Sequence, residues 1–321
     1  ILNQSNSTIY LLIRAESAGE GKKRFFRLWN YYFPMEEPML FESRLIFLAG
    51  DLSHDRLGLS EEIWTTVSET VDSILHAGAN VRHYGRFEEF LGTNIKGTKT
   101  LIELVKEGRE KEFHYISTVS LHLLEKPHGL GLFFEDDFPE EPHLENNYLE
   151  SKWEAERILR LSGINVRYYR LGNLVGHSKT GIFQINAQDN AFLQSIQGFK
   201  KIGAIPVLNE AFIDLSFIDQ TSEAVWKLMS TPSPLRCFHI FNPHRINLKD
   251  LAGAYDLERV EMEIFYHSFY EKKELLTHAS YIGNPRMLMT SPLNDLTEVI
   301  LNKTGHKWQS PELEHMQKLL I

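Results

Sequence analysis

A tyrosine and a lysine four residues apart, Tyr148 and Lys152, stand in the helix-prone stretch "NNYLESKWEAERIL" (residues 146–159). Residues i and i+4 of an α-helix share a face, so the phenol and the ammonium point the same way. A nearby ammonium favours the phenolate, which predicts a Tyr148 pKa below the ordinary value of about 10. Such a phenol is a usable acid near neutral pH. Y-x-x-x-K pairs also occur on solvated helices, so the meaning of this one depends on its surroundings.

"HYISTVS" (114–120) ends a strand-like run with Ser117 and Thr118, whose hydroxyls can hold a substrate carbonyl. Together these residues read as a hydride-transfer site. Thr118 orients the carbonyl, Tyr148 protonates it, and Lys152 tunes the phenol and binds the ribose of a nicotinamide nucleotide. "LLIRAES" ends its own run with Arg14. An acidic residue there would accept the ribose hydroxyls of NAD, whereas an arginine suits the extra phosphate of NADP through fork-shaped, charge-assisted hydrogen bonds. A solvated arginine at a strand end would look the same. Arg24, closing "KKR" (22–24), is placed for the same phosphate. In "AGDLS" (49–53), Asp51 can accept the adenine amino group while the backbone of Leu52 supports the ring; a helix cap would use the same carboxylate. Ala77, Gly78 and Ala79 of "LHAGANV" are small enough for backbone to lie against a flat dinucleotide, or for a tightly packed turn.

Strand ends carrying such groups must be gathered at one edge of a sheet. Six apolar runs read as buried parallel strands: residues 8–14, 44–52, 73–79, 112–118, 165–173 and 237–243. Helix-like segments at 60–71, 94–108 and 148–163 separate several of them, the first with a cap at Ser60. Strand alternating with helix predicts an α/β fold with a Rossmann-like, doubly wound parallel sheet. The expected division is an NADP-binding domain over 1–175, with 210–245 returning to it. Residues 176–209 and 246–321 would form a smaller, mainly helical region on the substrate side.

The net charge of −9, with no basic run longer than "KKR", argues against a nucleic-acid surface. The single cysteine, Cys237 in "LRCFHIFN", excludes an internal disulfide and reads as a buried, inert thiol. No apolar stretch approaches the roughly 20 residues of a membrane span. Nothing reads as a signal peptide, so a cytoplasmic setting is expected. The histidines show no metal spacing such as H-E-x-x-H, so no metal is expected. "GHSKTG" (176–181) has the outline of a phosphate loop without its Gly-Lys-Ser/Thr ending, and there is no G-x-S-x-G elbow. Trp153 reads as packing. The acidic run 133–145 reads as a solvated loop, or one facing the substrate channel.

The ordered set "LLIRAES", "AGDLS", "LHAGANV", "NIKGT", "HYISTVS", "YLESKWEAE" and "YRLGNLVGHSKTG" resembles the extended short-chain dehydrogenase/reductases. More narrowly, it is similar to the thioester reductase domains of non-ribosomal peptide synthetases and carboxylic acid reductases. The resemblance covers roughly residues 8–250. It implies a Thr–Tyr–Lys triad at Thr118, Tyr148 and Lys152, and a 2′-phosphate site at Arg14 and Arg24. It also implies an adenine-side acid at Asp51, a cofactor-backbone turn at Ala77–Ala79, a structural Asn94, and a nicotinamide-side loop at Gly172, Asn173 and Leu174. The implied chemistry is NADPH reduction of a thioester, held on the phosphopantetheine arm of an acyl- or peptidyl-carrier protein, to an aldehyde or further to an alcohol.

Family members usually carry proline where Leu171 and Leu215 stand. They also open with a strand and a glycine-rich T-G-x-T-G-F-x-G loop whose amides hold the pyrophosphate. Nothing here matches that loop; it is expected to lie upstream, with residues 1–7 reading as the end of the helix after it. Two other readings stay open: an extended-family dehydrogenase or epimerase acting on a diffusible substrate, and a non-catalytic carrier-binding module. "SKWEAE" and an apparent insert around 20–41 count modestly against the dehydrogenase or epimerase.

Overall fold

The computed structural model describes residues 1–82, 85–124, 132–140, 146–207, 212–272, 291–312 and 315. Strand β1 (Ile9–Ile13) leads into helix α1 (Ala18–Tyr32), capped by the Ser17 hydroxyl, which accepts from Glu20 N. The apparent insert is therefore largely this helix. Next come β2 (Leu45–Ala49), α2 (Glu61–Thr70) and β3 (Ser73–His76). The expected cap at Ser60 is present, its hydroxyl accepting from Ile63 N. A short α3 (Glu88–Phe90) passes through a π-turn at Leu91–Lys96 into α4 (Gly97–Lys106). Then follow β4 (Glu112–Thr118), β5 (Leu132–Phe133), α5 (Asn147–Leu161), β6 (Val166–Leu171) and β7 (Leu174–Val175).

The remainder contains α6 (Ala191–Ile202), β8 (Ala204–Pro206), β9 (Phe212–Ile213), β10 (Ser216–Phe217), α7 (Ile218–Ser230) and β11 (Cys237–Ile240). It ends with β12 (Ile246–Asn247), α8 (Leu248–Ala254), β13 (Glu258–Val260), α9 (Met262–Glu271), β14 (Ser291–Pro292) and α10 (Asp295–Lys303).

All six expected strands form. Four make a parallel sheet in the order β11-β6-β4-β3, and β1 pairs in parallel with β2. The expectation that every strand is covered on both faces holds for β11 and most of β4 and β6. It fails for β1, half-buried along its length, and for β3, where Ser73 and Leu75 are exposed. End position alone does not decide this: β11 ends the same sheet and is buried against α7 and α10, while β3 leaves Ser73 and Leu75 open and β1 belongs to a separate pair. Residues 1–5 make a single turn, Gln4 N and Ser5 N donating to Ile1 O, and not a regular helix end.

One face of the main sheet packs Trp64, Leu101, Leu104, Phe113, Tyr115, Leu159, Val166 and Tyr168 into a core. Each fully buried large apolar side chain contributes about 1.5–3 kcal/mol. On the other face, Tyr169, Phe238 and Ile240 meet Leu228 of α7 and Leu301 of α10. A second cluster, around Val175, Ile196, Ile205, Phe217, Leu248 and Leu251, supports the chain beyond β7.

Candidate active site

β4 presents Thr118 at its carboxyl end, nearly buried, with its hydroxyl accepting from Ser120 N at 3.1 Å. In the β4–β6 register Thr118 stands opposite Leu171, the residue before Gly172. Helix α5 starts beside this end, its cap Asn146 accepting from Leu149 N at 3.1 Å. Tyr148 lies in its first turn and Lys152 one turn further on, both buried. Lys152 Nζ donates to the Ile116 carbonyl at 2.6 Å and sits 4.2 Å from the centre of the Tyr115 ring. The lysine is thus tied to the strand that ends in Thr118.

Burial decides the electrostatics. It pulls the Lys152 ammonium down to about 7, against the opposing charge of Glu156 one turn along α5. It pushes the Tyr148 phenol up to about 12. The expected lowering of Tyr148 is therefore corrected: in the protein alone, burial moves the phenol, and it moves it up. Burial, then the Lys152 charge, drives His76 down to about 3, so this histidine is neutral. Behind the lysine, Glu156 accepts from Arg170 Nε and Nη2 at 3.1 and 2.8 Å, with both side chains fully buried. Burial alone would raise the Glu156 carboxyl, but the guanidinium holds it below its usual range.

Asn94 locks α5 to the loop after β3. Its Oδ1 accepts from Asn80 N at 2.7 Å, and its Nδ2 donates to Asn80 O at 3.0 Å and Ser151 Oγ at 2.8 Å. Ser151 passes the contact to the Tyr148 carbonyl at 2.7 Å. The π-turn at Leu91–Lys96 carries Asn94 at this point; such turns often mark functional positions.

At the ends of β1 and β2 a second group assembles. Arg14 Nε pairs with Asp51 Oδ2 at 2.8 Å, and Arg24 donates to the Arg14 carbonyl at 3.0 Å. Asp51 Oδ1 accepts from Ser53 N and Oγ. Burial would raise the Asp51 carboxyl; those two bonds and the Arg14 charge hold it below its usual value. Arg14, Ala15, Glu20, Lys23, Arg24 and Arg27 line an open cleft of about 340 Å³. Four cations against one carboxylate suit an anion such as a ribose phosphate. The Leu52 side chain lies against Gly78 and Gly97, where an added Cβ would come within 2.5 and 2.8 Å of it. Ala77 and Gly78 face solvent.

Beyond β6, Gly172 has no room for a side chain: a Cβ would lie 2.2 Å from Asp214 Oδ2 and 2.5 Å from Phe241 Cβ. Asn173 donates to Asp214 from its backbone N–H at 2.7 Å and its amide at 3.0 Å, and Leu174 enters β7. The structure therefore sets α5, with Tyr148 and Lys152, against β4, which ends in Thr118 opposite the residue before Gly172–Leu174, while Asn94 ties α5 to the loop after β3. Arg14, Arg24 and Asp51 gather at β1 and β2, and Leu52 with Gly78 at the turn after β3. Sequence reasoning missed Asn80, Glu156, Arg170 and Asp214 as supports, and Lys23 and Arg27 in the cleft. "KKR" marked the cleft; nothing in "IDLS" marked Asp214.

Trp153 donates to Pro139 O at 2.7 Å and stacks on Phe138, which is packing. Of the acidic run, residues 141–145 lie outside the described residues. Among the described residues, no cluster of three or more His, Cys, Asp or Glu is disposed to hold a metal, and no helix is long and apolar enough to cross a membrane.

Residues 1–225 match the NAD-binding family model described as "Male sterility protein". The chain belongs to that family. A linear gramicidin synthase from Brevibacillus parabrevis is 30% identical over 281 residues, 84% of this chain and 5% of that protein. The L-2-aminoadipate reductase of Candida glabrata, in its large subunit, is 26% identical over 335 residues, 98% of this chain and 24% of that protein. The chain thus spans a quarter or less of the length of these relatives. The terminal R domain of the myxalamid PKS-NRPS pathway superposes with a TM-score of 0.84 at 26% identity, covering 99% of this chain and 84% of that one. The resemblance drawn from the motifs is borne out: these are reductase domains of peptide synthetases and their relatives. The family makes the chain an oxidoreductase with a Rossmann-like fold and a nicotinamide cofactor. The cationic cleft, the small-residue turn and the side-chain-free Gly172 fit such a cofactor.

Proposed function

We propose that the chain is an NADPH-dependent reductase of acyl or peptidyl thioesters carried on the phosphopantetheine arm of a carrier protein, with an aldehyde as product. The observation that carries this reading is the β4–α5 junction, where Lys152, on the helix that carries Tyr148, is fixed to the Ile116 carbonyl of the strand that ends in Thr118. The names of the relatives support reductive chemistry on carrier-bound acyl groups.

Arg14 and Arg24 hold the 2′-phosphate, Asp51 and Leu52 the adenine, and Ala77–Ala79, braced by Asn94, the dinucleotide backbone. Lys152 binds the ribose, and Gly172, Asn173 and Leu174 flank the nicotinamide. The described parts of residues 176–209 and 246–321 face the substrate and carrier.

When bound, the reduced nicotinamide supplies a hydride; the rest falls to the chain. Thr118 donates a hydrogen bond to the thioester carbonyl oxygen, where negative charge develops. Tyr148 gives its proton to that oxygen, and the Lys152 ammonium stabilises the phenolate left behind. That charge offsets part of what burial costs the phenolate. The resulting hemithioacetal breaks its C–S bond: its hydroxyl proton passes back to the Tyr148 phenolate, restoring the phenol, and the sulfur leaves on the carrier arm as a thiolate that takes a proton from solvent. Fixing carbonyl and proton donor in one geometry supplies much of the barrier reduction.

To test this, full-length protein is mixed with NADPH and an acyl-pantetheine thioester, and nicotinamide absorbance and aldehyde are followed. NADPH consumption with stoichiometric aldehyde is expected. A protein that binds NADPH yet reduces no acyl thioester, or that turns over only sugar nucleotides or free alcohols, overturns the reading.

A further inference from the structure

We infer that Asp214 is a positioning residue, its carboxylate setting the shape of the Gly172–Leu174 loop so that the nicotinamide end of the cofactor is held for hydride transfer. This rests on the reading of that loop as cofactor-facing.

The loop cannot set its own shape at Gly172, which lacks a side chain. Asp214 Oδ2 occupies that space, 2.2 Å from where a Cβ would be. The same oxygen accepts from Asn173 N at 2.7 Å and Ser216 Oγ at 3.0 Å, while Oδ1 accepts from the Asn173 amide at 3.0 Å. Ser216 N donates back to the Asn173 carbonyl at 2.9 Å. Asp214 is anchored in turn: Ser216 Oγ accepts from Asn242 N at 2.9 Å, and the Asn242 amide donates to the carbonyls of Leu215 and Gln309. The loop is thus held by a carboxylate from a distant segment that is itself fixed to the C-terminal part of the chain.

Three donors converge on the two oxygens, and a carboxylate can accept all of them. An asparagine would set an NH2 against one of those donors. Burial raises the Asp214 carboxyl, opposed by Asn173, Ser216 and the nearby Arg245. Arg245 is itself committed to Ser291 Oγ and the Pro292 carbonyl. Keeping this group where its charge is disfavoured suits a demand for geometry at the loop.

The test is Asp214→Asn in the full-length protein, read at opposite ends of the cofactor. Affinity for 2′,5′-ADP, which carries only the adenosine half, stays within about twofold of wild type. Single-turnover hydride transfer at saturating NADPH falls about tenfold or more, as small misplacements of reacting groups do. A rate within about twofold of wild type overturns the inference, as does an equal loss in 2′,5′-ADP affinity and rate, which marks general damage. If Asp214→Asn does not fold, Ser216→Ala removes one of the three bonds, and a fall of about threefold or more at unchanged 2′,5′-ADP affinity is expected. An unchanged rate overturns the inference there too. If wild type reduces no thioester, the functional reading fails separately. Bound-NADPH fluorescence, enhanced in wild type and reduced in the variant, then decides the loop's role; equal fluorescence overturns it.

Discussion

Lys152 donates its ammonium to the carbonyl of Ile116, two residues before Thr118 in the same strand. One hydrogen bond thus fixes the helix carrying Tyr148 against the strand carrying the hydroxyl. It also places the lysine where burial holds it near neutrality, and this gives a pH signature.

With Lys152 down to about 7, its protonated fraction falls as pH rises through that value. Activity that needs the ammonium is present below about 7 and lost above it. We expect kcat/KM, which reports the free enzyme, to decline on the alkaline side with a single-proton slope. Lys152→Arg removes that limb, because a guanidinium stays charged, at a lower overall rate. A flat profile from pH 6 to 9 in wild type contradicts this assignment.

The same shift affects stability with the opposite sense. The unfolded chain keeps its lysine protonated up to about 10.4, so between about 7 and that value it binds more protons than the folded protein. This contribution therefore raises stability with increasing pH across the window. Lys152→Met removes that component of the pH dependence in denaturant titrations.

Glu156 and Arg170 are both fully buried and joined by two hydrogen bonds. Glu156→Gln leaves the guanidinium without its counter-charge, and breaking a buried pair in this way costs about 3–5 kcal/mol. Replacing both by apolar residues of similar volume costs much less. Chemical denaturation of the single and double variants measures the difference.

Asn94 satisfies both backbone groups of Asn80 and reaches Ser151. Asn94→Ala strands these partners, at about 1–3 kcal/mol for each buried group left unpaired. Thermal melting should fall, and kcat should fall further than the loss of folded protein explains, because α5 and the turn after β3 lose their common brace.

The scaffold was legible because its signals are local. The apolar run 112–118 became β4 with the same bounds, and Ser60 caps α2 as its pattern predicts. Tyr148, Lys152 and Thr118 could be named as candidates because each follows from spacing or a strand end. The Asp214 clasp could not, since its partner Asn173 lies on another segment and "IDLS" has no pattern of its own. The direction of the Tyr148 shift was also out of reach: spacing names the neighbouring charge, but only the packed structure shows how deeply the phenol is buried. The exposed edges of β1 and β3 were hidden similarly, since an apolar run does not reveal what will pack against it.

Cofactor preference tests the cleft. Arg14→Ala and Arg24→Ala should each raise KM for NADPH by about tenfold, as the loss of a charge-assisted fork implies, while leaving KM for NADH nearly unchanged. Equal effects on both nucleotides would place the phosphate elsewhere.

The central claim is that this chain delivers a hydride to a carrier-type thioester with Tyr148 as proton donor. Its most direct measurement uses NADPH deuterated at the transferring position of C4 with an acyl-pantetheine substrate. Deuterium at the aldehyde carbon is expected, with a fall of about 100-fold or more for Tyr148→Phe, within the range of general acid catalysis. An unlabelled product, or a Tyr148→Phe variant as fast as wild type, would contradict the claim.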